Sequence, residues 1–145
     1  MSIVVGYDES PGSDRALEAG IEMAQRFAAP LVLVFGARPP GGVGEEFAAH
    51  LERLEELGHR AVQHAMHRAE VRGVPTEVEV VRAKPADALV EVADRRAARM
   101  IVVGSFGESP IRGALLGSTP HRLLHISNRP VLVVPPGVAS AQGPG

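Results

Sequence analysis

The chain contains no cysteine, no tryptophan, one tyrosine and one lysine in 145 residues. Without cysteine it has no disulfide, no thiolate chemistry and no cysteine-based zinc site. An aromatic share of 3% leaves little to stack on the bases of a nucleic acid strand. A formal net charge of −2 gives no bulk attraction to nucleic acid or to an anionic membrane. No apolar run approaches the roughly 18 residues of a membrane span, and the chain opens on a strand pattern instead of a signal peptide. These absences point to a cytoplasmic protein with neither a nucleic acid nor a membrane partner. All but one of the 15 basic residues are arginine. The lysine of a Gly-x-x-x-x-Gly-Lys-Ser/Thr phosphate loop is therefore missing, and Schiff-base chemistry would have only Lys84 to use.

What is present alternates regularly. Residues 2–7 form an apolar strand pattern with Asp8 at its end, and Ser10-Pro11 then caps and starts a helix running to about residue 28. Leu31 to Phe35 is a second strand, followed by a loop from Gly36 to Gly44 rich in Gly and Pro. Phe47, Leu51, Leu54, Ala61, Ala65 and Ala69 stripe a second helix that stops near Gly73-Val74-Pro75. Thr76 to Val81 alternates polar and apolar residues, as an edge strand with one wetter face does. Pro85 opens a third helix with Leu89, Val90 and Ala93 inward, and Met100 to Val103 is a fourth strand. A short helix from about Pro120 carries Leu123, Leu124 and Ile126, and Val131 to Val134 is a fifth strand. Strands alternating with helices predict a parallel α/β sheet covered on both faces, with ligands at the C-terminal strand ends. Residues 1–136 read as a single domain, and residues 137–145 as a flexible tail.

The densest signal is Ile101-Val102-Val103-Gly104-Ser105-Phe106-Gly107, followed after nine residues by Gly117-Ser118. A strand breaks into glycines and returns at a helix start. Glycines let a backbone approach an anion, and a helix N-terminus presents free N–H groups and the positive end of a dipole. The pattern is that of a phosphate cradle.

With the opening Val-Val-Gly-Tyr-Asp-Glu-Ser and the closing Arg-Pro-Val-Leu-Val-Val, the chain resembles the universal stress protein family in its nucleotide-binding branch, over residues 2–134. The resemblance implies a three-layer, Rossmann-like fold with a five-stranded sheet in the order 3-2-1-4-5. It implies an adenine nucleotide, ATP first, with or without Mg²⁺, and a homodimer acting in the stress response. Carried onto this chain, Asp8 holds the ribose hydroxyls and Val32 or a neighbour meets the adenine. Gly104 and Gly107 wrap the phosphates, while Gly117, Ser118 and Thr119 supply donors. Many relatives carry basic residues near positions 106 and 108, where this chain has Phe106 and Glu108. A carboxylate facing a polyphosphate costs about 1 kcal/mol at ~4 Å in water. A less charged ligand, AMP or a cyclic adenine nucleotide, relieves that repulsion, and Arg112 offsets it if it turns inward.

Other constellations carry less. Ser10-Pro11-Gly12-Ser13-Asp14 is similar to the pyrophosphate loop of ATP pyrophosphatases, but Pro11 lacks the needed N–H, so an ordinary helix start is the expectation. His121 and His125, and His64 and His67, stand at helical spacings without a third ligand, so no metal is expected. The stripe over residues 47–69 serves packing on the chain's own sheet. No paired carboxylates or activated nucleophile accompany the glycine loop, so binding without efficient turnover is expected. The alternatives are slow ATP hydrolysis through Asp8 or His121, or a dimeric interaction protein without nucleotide. The fifth strand, Val131, Leu132 and Val133, is apolar at a sheet edge and invites pairing with a second copy.

Overall fold

A computed structural model describes residues 1–7, 11–36, 56, 59, 60, 63–105 and 116–136. In chain order the elements are β1 (Ile3–Gly6), α1 (Pro11–Phe27), β2 (Leu31–Gly36), a helical segment α2 over residues 63–70, β3 (Thr76–Val81), α3 (Pro85–Arg95), β4 (Met100–Gly104), α4 (Ser118–Ile126) and β5 (Val131–Val134). The strands form one parallel sheet, as the alternation predicts, in the order β3-β2-β1-β4-β5 that the family resemblance implies.

The central strands β1, β2 and β4 are too apolar to leave either face wet, so helices cover both. On one face Ile3, Val5, Leu31, Leu33 and Val102 pack under Leu17 and Ile21 of α1 and Ala65 and Ala69 of α2. On the other, Val4, Val34, Ile101 and Val103 pack under Leu89 and Val92 of α3 and Leu123 of α4. Gly20 lets α1 lie close on the sheet, since a Cβ there would stand 2.4 Å from Val5 Cγ2.

The first three helices end in a shared way. After α1 the Ala29 N–H reaches the Ala24 carbonyl, after α2 the Val74 N–H reaches Ala69, and after α3 the Ala98 N–H reaches Ala93. The residue at each turn, Ala28, Gly73 and Ala97, has positive φ, the geometry of a Schellman cap.

The wetter face of β3 is not left to water. Glu79 accepts from both Arg95 of α3 and Arg96, its C-cap, and Glu77 accepts from Arg96. The hydrogen bond from Arg95 holds the Glu79 carboxyl below the usual carboxylate range, against its partial burial and with help from Arg96.

Three expectations about the helices need correction. α4 begins at Ser118, two residues before the proline that suggested its start, because Gly117 is its N-cap and Pro120 fits the first turn there. Leu124 is 57% exposed, so the inward stripe of α4 is Leu123 with Ile126 partly covered. In α3, Val92 is fully buried and Val90 only half so.

Candidate functional site

β1 and β4 lie side by side, and from them the chain order runs outward in opposite directions, to β2 and β3 on one side and to β5 on the other. Parallel sheets take their ligands at the C-terminal edge of such a switch point. Here that edge is marked by Gly6-Tyr7, Gly36, Gly104-Ser105 and Val134.

Gly104 closes the end of β4 against α1. A Cβ on it would stand 2.6 Å from the Gly12 carbonyl oxygen, so the absence of a side chain lets the first turn of α1 rest on the strand. Ser105 extends the strand by one residue, its N–H donating to the Val134 carbonyl at 3.0 Å. Its own carbonyl accepts from the Gly117 N–H at 2.6 Å, which ties the start of α4 to the end of β4.

Gly117 is the N-cap, extended at φ −70° and ψ 173°, and no side chain caps the helix. The first four N–H groups of a helix have no partner within it. In α4 the third position is Pro120, which has none to offer, and His121 N–H reaches back to the Gly117 carbonyl. The N–H groups of Ser118 and Thr119 therefore have no acceptor among the described residues. Two open donors and the positive end of a helix suit an anion.

Of the residues expected in the site, the structure brings Gly104, Gly117, Ser118 and Thr119 together. The role of Gly117 is refined, because its N–H is already engaged. Asp8 and Gly107 lie outside the described residues, as do Phe106, Glu108 and Arg112. Val32 is corrected. It sits near the N-terminal end of β2, paired with Val4 and 1% exposed, so its side chain belongs to the core and not to the crevice. The residues of β2 at the C-terminal edge are Phe35 and Gly36. Gly36 is packed hard against the start of α3, where a Cβ would stand 2.8 Å from Pro85 Cα. Nothing within the run Leu31 to Phe35 marks which residue reaches the edge; only pairing with β1 does.

Charges around this edge are largely committed. Arg122 of α4 holds Asp87 of α3 at 2.9 Å, and Arg15 of α1 donates to the Pro135 carbonyl at 2.9 Å. Tyr7, at the end of β1, donates its hydroxyl to Asp14 at 2.9 Å, and Arg68 of α2 joins Asp14 and Glu18. That chain of contacts fastens the end of β1 to α1 and α2. Lys84 is exposed at the start of α3. His121 and His125 are exposed and meet edge to face, ring centroids 4.9 Å apart. Among the described residues no three metal-ligating side chains cluster, and no helix is long and apolar enough to cross a membrane.

The model of the universal stress protein family matches residues 1–135. A universal stress protein of Methanocaldococcus jannaschii is 35% identical over 136 residues, covering 91% of this chain and 80% of that protein. Another, from Mycolicibacterium smegmatis, is 31% identical over 140 residues that cover 91% of this chain, which spans 47% of that longer protein. A universal stress protein solved in complex with cAMP is 31% identical and superposes with a TM-score of 0.73 over 92% of this chain and 96% of that one.

Proposed function

The chain belongs to the universal stress protein family, and on that footing we propose that it binds an adenine nucleotide at the C-terminal edge of its sheet, as a dimeric cytoplasmic stress-response regulator. The observation that carries this reading is the uncapped start of α4, whose Ser118 and Thr119 N–H groups find no acceptor among the described residues, beside Gly104 and Gly117. The relative solved with cAMP supports the choice of ligand class.

In this reading the phosphate sits on the first turn of α4, with the glycine loop from Gly104 to Gly107 wrapping it. Asp8, directly after Tyr7, takes the ribose hydroxyls, since one carboxylate can accept two hydrogen bonds. The base falls at the end of β2, by Phe35 and Gly36. With Arg122 and Arg15 committed elsewhere and Glu108 in the glycine loop, the site favours a ligand of low charge. A cyclic or simple monophosphate suits it better than ATP.

Calorimetry with cAMP, AMP and ATP, the last with and without Mg²⁺, tests this against Gly117→Asp. An N-cap aspartate accepts from the N–H two residues on, here Thr119, and favours the helix. The variant therefore stays folded while its carboxylate occupies a phosphate donor and repels the ligand. Binding by the wild type and loss of it in the variant is the expected result. Equal affinity in both overturns the placement of the phosphate, and a wild type that binds none of the three overturns the ligand class.

A further inference from the structure

α4 buries one side and leaves the other bare. Pro120 and Leu123 are covered and Ile126 is partly so, while His121, Leu124 and His125 are exposed. Residues four apart on a helix stand one above the other on the same face. His121 and His125 have that spacing, and their rings meet edge to face with centroids 4.9 Å apart. Neither imidazole has a hydrogen bond or an ion pair among the described residues.

The backbone beneath the two rings is fixed at both ends. His121 N–H donates to the Gly117 carbonyl at 3.2 Å, Ser127 N–H closes the far end on Leu123 at 2.9 Å, and Leu123 is fully buried between them. Only side-chain rotation is then needed to aim a nitrogen of each ring at one point. The ring separation suits an ion held there. Zinc lies about 2.0–2.1 Å from an imidazole nitrogen, hence ~3.2 Å from the ring centre. Two ring centres 4.9 Å apart at that distance subtend about 100° at the ion, between the ~90° of a square-planar site and the ~109° of a tetrahedral one. Arg122, the cation next to His121 in the chain, is already paired with Asp87 of α3.

We propose that His121 and His125 form an exposed two-imidazole site on α4 for a late first-row divalent ion, with copper(II) held more tightly than nickel(II) or zinc(II). Imidazole nitrogen suits these ions, and affinity among them peaks at copper. Oxygen-seeking magnesium and calcium do not fit it. The sequence predicts no metal because a closed site needs further protein ligands; an open site takes its remaining ligands from water. The ion clamps two successive turns of α4 and so stiffens the helix. The site uses side chains of the exposed face and none of the N–H groups of Ser118 and Thr119, so it stands apart from the nucleotide reading. His64 and His67 of α2 are also exposed, three residues apart, but show no ring contact, and they supply the internal control.

The test titrates copper(II) into the full chain, free of any histidine tag and of chelator, as wild type, His121→Ala, His125→Ala and His64→Ala. Calorimetry is expected to show one copper ion per chain at the tightest site, and electron paramagnetic resonance to show coordination by two imidazole nitrogens. Copper is expected to raise the melting temperature of the wild type, since it binds the folded helix. Either α4 variant is expected to weaken copper about tenfold or more and to lose the two-nitrogen signature. Without metal both variants melt close to the wild type, because the replaced side chains are exposed. His64→Ala leaves copper affinity within twofold. If the α4 variants bind copper as the wild type does, or if the loss follows His64→Ala instead, the ion is held elsewhere and the proposal falls. A wild type whose copper spectrum shows a single imidazole nitrogen also overturns it.

Discussion

Gly104→Ala is the sharpest probe of how the site is framed. The backbone of Gly104 does not lie in the left-handed region, so alanine meets no conformational penalty there. Its cost is steric. The new Cβ stands 2.6 Å from the Gly12 carbonyl oxygen, 2.8 Å from its carbon and 3.2 Å from its Cα, all backbone atoms that cannot rotate away. To reach the 3.4 Å at which contacts become ordinary, β4 and the first turn of α1 must part by roughly 0.8 Å. Forced separations of packed elements cost about 1–3 kcal/mol. With a urea slope of about 1–3 kcal/mol/M, the denaturation midpoint falls by on the order of 1 M. Gly73→Ala is the matched control, because Gly73 has φ +77° and open space around its missing Cβ, so its loss is conformational alone. Nucleotide affinity separates them further: Gly104→Ala moves a wall of the crevice and weakens binding, while Gly73→Ala sits at a helix end near the opposite edge and does not. A Gly104→Ala protein with the wild-type midpoint would show that α1 does not rest on β4.

Three further outcomes follow from other parts of the molecule. Ala97→Gly, at the left-handed turn after α3, is expected to raise stability by about 0.5–1 kcal/mol in chemical denaturation, because glycine occupies that conformation without the Cβ clash; a loss of stability would refute the cap assignment. Glu79, held low by Arg95 and Arg96, contributes stability above the unfolded glutamate value near ~4.3 and loses it as pH falls through the lower folded value. Glu79→Gln is expected to cost about 1–2 kcal/mol at neutral pH and to flatten the fall in denaturation midpoint below about pH 4.3, and an unchanged acid limb would overturn it. Leu132→Lys, on the outer strand where Leu132 is 36% exposed, is expected to give a folded monomer by sedimentation, and a wild type that is itself monomeric at micromolar concentration would sink the dimer.

The layout was legible because the determinants were local and repeated. β-branched runs alternate with helical stripes, and prolines stand at helix starts, so the parallel sheet and its two helical layers emerge from local pattern, while the strand order came only from the family resemblance. The start of α4 was less legible because Pro120 satisfies a first helical position as well as a third; only the cap geometry at Gly117 decides. Val32 was misplaced for a related reason. A uniformly apolar strand says that it is buried but not which end meets the crevice, and register is a property of two strands together.

The two ends of the sheet differ in how completely the chain satisfies its backbone donors. At the N-terminal edge the strands are tied down by backbone alone: Ile3 N–H to Pro30, Leu31 to Pro75, Arg99 to Ser2 and Ile101 to Pro130. Three helices arriving there, α1, α2 and α3, end in closed caps, and Arg129 adds a bond to the Ala98 carbonyl. Even glycine's usual place in such caps is taken by alanine at two of three positions, which closed packing tolerates. At the C-terminal edge the economy reverses. α4 starts on a glycine that cannot cap it, and its next two N–H groups find no acceptor among the described residues. A serine, threonine or aspartate at position 117 would close the helix for about 1 kcal/mol of added stability. Donors left open in this way cost stability in the free chain, and a ligand that fills them returns it in proportion to its concentration over its dissociation constant. A chain with these two edges is therefore expected to gain thermal stability from a phosphate-bearing ligand, through α4 and β4 first.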